Sequence, residues 1–299
     1  MEDGGRFGAR VRAVLGAGRT GEALDRLHEE IGSRGPLLVL VAPLDGVLPR
    51  PHATPGSESR AEARTAAAVS REEVYASIAD TARPDRVYAL LTVLATVVGA
   101  VGLARDNSAA VIGAMVVAPL LGPNMALGLG LVLGDFPLVR RALRTNALGL
   151  ALAFGTAVLL GLGLRPDPTT PELASRTVVG LADLAVALAA GCAGALAYTT
   201  GTATFLTGVM VAVALLPPAV AGGMLLATGS ARGAASALLL ALGNVTALTL
   251  AAIVTFWWQG MRPRTWWEAD RARRSARMGA LVFVGLLLLL AGLIALAGS

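Results

Sequence analysis

The chain has 299 residues, of which 55% are hydrophobic and only 15% charged, with a formal net charge of +5. A mean hydropathy of +0.67 excludes an ordinary soluble domain. All 25 basic residues are arginines that flank apolar stretches, a pattern that points to topology and anionic lipid and argues against a nucleic-acid partner.

The first 85 residues are polar and rich in arginine. Thr20 to Ile31 reads as an amphipathic helix, with Ala23, Leu24, Leu27 and Ile31 on one face. Pro36 to Pro43 reads as a short buried strand between prolines, and 44–68 as a Pro/Ser/Arg-rich linker. Ser70 and Glu73 have the spacing of a capping box, which predicts a helix running through Tyr75 and Ile78 toward the membrane. One helix and one strand bury too little area to fold alone. This head therefore packs on a neighbouring subunit or is the remnant of a larger domain, and a homo-oligomer is expected over a monomer.

From Val87 onward the chain is a series of apolar stretches, each long enough to cross a bilayer. Spans are expected near 87–104, 108–134, 142–164, 177–199, 203–228, 234–258 and 279–297, the first acting as its own insertion signal. Arginine placement sets their orientation. With the N-terminus in the cytoplasm, that side holds 12 arginines before the first span, then Arg140, Arg141 and Arg144, then six from Arg262 to Arg277. The opposite side holds Arg105, Arg165, Arg176 and Arg232, so the positive-inside rule is met. The Trp257-Trp258 and Trp266-Trp267 pairs bracket the last cytoplasmic loop as interfacial anchors.

A Pro/Gly-interrupted segment occurs twice. Gly113, Met115, Val116, Leu120, Leu121 and Pro123 recur 95 residues on as Gly208, Met210, Val211, Leu215, Leu216 and Pro218. The register extends through Gly99/Gly194, Gly128/Gly223 and Gly134/Gly229. After a three-residue shift, Asn146 and Asn244 are counterparts in the third span of each half. Three spans per repeat is an odd number, so the second copy is expected upside down relative to the first. The predicted architecture is all-α: head and linker over 1–85, repeat 1 over 86–164, repeat 2 over 165–258, and a loop with a seventh helix over 259–299.

The stretch from Asn107 to Pro123, closing at Gly134-Asp135, resembles a prokaryotic membrane family known as domain of unknown function 389. So do Leu184 to Leu196, Gly208 to Pro218 and the Ser70 to Tyr75 run, and the likeness covers about residues 70–258. The resemblance implies a bacterial or archaeal inner-membrane protein and supplies no activity. Asn124 departs from the apolar residue usual in that family after the first break.

Candidate site residues follow from the breaks. Pro119, Gly122 and Pro123, and then Pro217 and Pro218, remove backbone donors at membrane depth, where freed carbonyls must be buried in protein or face a water-filled cavity. Packing kinks are the competing reading. Asp183 is the one acid expected inside a span, either an ion or proton site or an interfacial partner of Arg176 or Arg232. Asn244 is expected near mid-membrane as a ligand or as interhelical glue, and Asn146 likewise. Asp106, Asn107 and Asp135 at span ends read as caps, and Thr199, Thr200, Thr202 and Thr204 as bonded to their own backbone. His28 and His52 stand apart, Cys192 sits alone among Ala and Gly, and no catalytic set or phosphate loop occurs. No metal, cofactor or catalysis is expected. The expected function is passage of a small solute or ion by a transporter or channel; the alternative is a membrane-anchored sensor or scaffold that presents its head to a partner.

Overall fold

A computed structural model describes residues 71–178, 180–201 and 204–261, with Ala23, Arg26, Leu27, Val39, Met278, Gly279 and 281–285 outside them. The side chains of 181 and 204–213 lie outside this description. The chain divides into two compact units, Met1–Glu72 and Glu73–Ser299. In the first, Ala23, Arg26 and Leu27 are helical, as the amphipathic pattern predicts, and Val39 has no regular structure. The rest of the expected strand, the linker and the Ser70 cap fall outside the described residues.

The second unit is helical throughout its described elements. These are α1 (Arg71–Thr81), α2 (Arg86–Ala104), α3 (Ser108–Val117), α4 (Leu121–Leu133) and α5 (Phe136–Leu164). They continue with α6 (Pro171–Ser175), α7 (Leu181–Thr200), α8 (Thr204–Ala227) and α9 (Ala231–Trp258). Four helices, α2, α5, α7 and α9, are long and apolar enough to cross a membrane, and α3 with α4 reach that length only together, across a break bent by 53°. This is a multi-pass membrane protein. Of the seventh span expected at 279–297, residues 279 and 281–285 are described and helical.

Short polar residues set the helix ends. Asp85 accepts from the Tyr88 N–H (2.6 Å) to start α2, and Asn107 accepts from the Ala110 N–H (3.1 Å) to start α3. Asp135 accepts from the Leu138 N–H (3.0 Å) to start α5, so Asn107 and Asp135 are caps as expected. This cap carries α5 back to Phe136, two turns before the expected 142. The span expected over 177–199 is α7, which begins four residues later, at Leu181, and ends at Thr200. Pro171 opens α6, and α7 starts after Gly180.

The interior is packed on small residues. In α4, eleven of thirteen residues are buried, against α5, α9 and, less extensively, α7 and α8. α8 lies against α5 and α9 and also meets α7 and α3. A Cβ on Gly128 of α4 would stand 2.7 Å from the Ala252 Cβ of α9. A Cβ on Gly223 of α8 would stand 2.7 Å from the Ala157 Cβ of α5. Residues 128 and 223 differ by 95, and so do 157 and 252. The same exchange recurs between Gly99 and Val220 (3.9 Å to Cγ2) and between Gly194 and Met125 (3.2 Å to Sδ), again 95 apart. At these positions each half offers the other the same pair of contacts.

Candidate functional site

The first break forms because Pro119 disfavours the helical conformation at the residue before it. Ala118 is extended (φ −70°, ψ 121°), and α3 ends at Val117. Pro123 has a different role from the one its sequence position suggests. It is the third residue of α4, where an N–H has no intrahelical partner in any case, so it frees no carbonyl. Gly122 is required by proximity, since a Cβ there would collide with the Thr81 side chain. The break sits toward one end of the bundle. Leu120 approaches Gly149 of α5, which also faces the hydroxyl of Tyr88 in the first turn of α2. The Tyr88 hydroxyl donates to the Thr145 carbonyl (3.1 Å), and the Thr145 hydroxyl donates to the Ala82 carbonyl (2.7 Å).

The second expected break is not a break. Pro217 and Pro218 lie inside α8, which continues from Thr204 to Ala227. Pro218 deprives the Ala214 carbonyl of its helical donor, and the Asn244 amide of α9 supplies a replacement at 2.7 Å. Substituting a side-chain donor for the lost one lets the helix continue through the proline pair.

Asn146 has the matching position in the first half. Its Oδ1 accepts from the Asn124 amide at 3.1 Å, and the same amide donates to the Leu120 carbonyl at 2.8 Å. An asparagine on the third span of each half therefore reaches the proline-bearing second span. Asn124, Asn146 and Asn244 are at most 5% exposed. The bonds described orient their amides and leave the Oδ1 atoms of Asn124 and Asn244 and the Nδ2 of Asn146 without a partner among the described residues. The other buried polar side chains there are threonines, and Thr92, Thr96, Thr246 and Thr249 each donate to a carbonyl one turn back. No charged side chain is among the buried ones.

Asp183 does not join this region. It lies in the first turn of α7 and accepts from the Gly180 N–H at 3.0 Å, a cap rather than a group two turns inside a span. Arg176 is not its partner, because it pairs with Glu172 at 3.4 Å. Thr199 and Thr200 donate to carbonyls of their own helix, and Thr199 also accepts from Gln259 at 3.1 Å. Asn124 is the residue that sequence reasoning missed as a site residue. Its signal was a lone amide in an apolar run directly after Pro123.

Comparison with known proteins bears on the same segment. The domain of unknown function DUF389 matches residues 115–250, from α3 through most of α9. The uncharacterized protein MJ0678 of Methanocaldococcus jannaschii is 34% identical over 216 residues, 72% of this chain and 68% of that one. The chain belongs to the DUF389 family. The DUF389 match thus contains the break, both proline sites and all three buried asparagines. No solved structure matches the chain.

Proposed function

We propose that this DUF389 protein passes a small hydrogen-bonding solute or ion across a prokaryotic inner membrane, with its N-terminus in the cytoplasm. In this reading the two three-span halves are inverted about an axis in the membrane plane, and conduction occurs where they meet. The observation that carries the proposal is the set of three buried amides with unpaired atoms, two beside the Pro119 break and one against the proline pair of α8. Non-helical backbone at membrane depth is tolerated where it is buried in protein or lines a water-filled cavity, and transporter sites form at such discontinuous spans. The contacts exchanged at a constant offset of 95 residues support the repeat. Two unpaired acceptors, one unpaired donor and the absence of buried charge among the described residues favour a neutral polar solute over a strongly charged one. Catalysis has no part in this reading.

Cysteine accessibility tests it. Cys192 is replaced by alanine, and single cysteines are placed at Asn124, Asn146 and Asn244 in full-length protein in inside-out and right-side-out vesicles. A solute path makes at least one of them react with a membrane-impermeant thiol reagent, with protection by the right solute. If all three are inert from both sides, the amides are interhelical glue and the anchor or scaffold reading takes its place. A cysteine before α1 that reacts in right-side-out vesicles would overturn the orientation.

A further inference from the structure

At the end of the bundle where α5 begins, Arg83, Pro84, Pro137, Arg140, Arg141 and Arg144 line an open groove of about 560 Å³. Four arginines line one concavity, and of the nearby carboxylates among the described residues only Asp80 pairs with one of them. Asp80 pairs with Arg83 across 3.6 Å on the exposed surface, Asp85 caps α2, and Asp135 caps α5 while accepting from Tyr75. Among the described residues Arg140, Arg141 and Arg144 have no acidic partner. The two prolines bring no N–H to the groove, so its polar character is that of the arginines.

Both helices leaving the groove carry exposed apolar side chains. Val87 and Leu90 on α2 are 61% and 59% exposed, and Leu143 on α5 is 57% exposed. Three guanidiniums with no acidic partner among the described residues, at the start of helices that carry exposed apolar side chains, match an amphiphile with a phosphate at its polar end. They do not match a freely soluble anion, which has no use for the apolar part.

We propose that this groove seats the phosphate of an anionic phospholipid, with the acyl chains lying along α2 and α5. Arginine suits the role because its planar fork gives two parallel hydrogen bonds to phosphate oxygens, beyond the charge attraction that any basic residue provides. The site does not depend on the solute-conducting reading and holds if the protein conducts nothing.

The test uses the full chain purified in a neutral detergent, offered phosphatidylglycerol or phosphatidylcholine, with retained lipid counted by native mass spectrometry. The native protein is expected to retain phosphatidylglycerol about tenfold better than phosphatidylcholine, and the double variant R140Q/R144Q to lose that preference. Orientation is protected in the variant because many other arginines remain on the same side. Millimolar inorganic phosphate should leave the bound lipid in place. An unchanged preference in the variant would place lipid selectivity elsewhere and overturn the proposal. Complete displacement by inorganic phosphate would overturn it in favour of a free-anion site. If R140Q/R144Q does not fold, R140K/R144K is read instead. It keeps the charge and should still lose at least about threefold in preference, and no loss overturns the proposal.

Discussion

The Asn244 amide lies 2.7 Å from the Ala214 carbonyl, the group that Pro218 leaves without a helical donor. Neither residue is informative alone; together they make a proline pair compatible with a continuous buried helix. Asn244→Ala should cost about 1–3 kcal/mol, because a buried carbonyl loses its replacement donor. In a Pro218→Ala background the backbone N–H returns, and the same Asn244→Ala change should cost at least about 1 kcal/mol less. A double-mutant cycle on unfolding in mixed micelles measures the difference. Equal costs in both backgrounds would mean that the amide acts on something other than Ala214.

The two prolines of the first break should behave differently. Pro119→Ala permits α3 to extend past Val117 and should suppress thiol reactivity at position 124 and any solute flux. Pro123→Ala adds an N–H in the first turn of α4, where none is needed, and should change stability by less than about 0.5 kcal/mol. Equal effects on flux from both variants would refute the assignment of the break to Pro119.

Glycine substitutions should divide by neighbour. Gly128→Val and Gly223→Val drive side-chain atoms into Ala252 and Ala157 and should each cost about 1–3 kcal/mol, by similar amounts if the halves are equivalent. Gly113→Ala and Gly155→Ala meet nothing within 4 Å and lie inside helices, so each should stabilise by up to about 1 kcal/mol. Thermal midpoints of the purified variants separate the two groups.

Tyr75 donates to Asp135 at 2.6 Å, and this bond, with some burial and the carboxylate charge, pushes the phenol up to about 12 from its ordinary 10.0. The neutral phenol is the form favoured in the folded protein. The stabilisation is therefore fully present below pH 10 and is lost as pH rises toward 12. Phenolate absorbance, read as the difference between native protein and Tyr75→Phe, should show one tyrosine titrating late. Asp135→Asn should bring it back toward the ordinary range.

Much of this architecture is legible in the sequence because apolar length and arginine placement are one-dimensional signals. The span limits, the cap at Asp135 and the repeat offset all depend on residues close together or on a fixed interval. The helix through Pro217-Pro218 was not legible, since the donor that preserves it comes from Asn244, 26 residues beyond Pro218. Asn124 was seen as an oddity and not as a partner of Asn146, because the 22-residue separation has no periodicity to mark it. The depth of Asp183 is not legible either, because composition does not show that the helix begins only after Gly180, which puts the carboxylate in its first turn.

Thr81 closes over Gly122 near the start of α4, and Tyr75 holds Asp135 just past its end. The short helix α1 is thereby a splint, fastened to the half-helix at both extremities. Any swing of α4 away from α5 and α9 must either carry α1 along or break the Tyr75–Asp135 bond and open the close approach of Thr81 to Gly122.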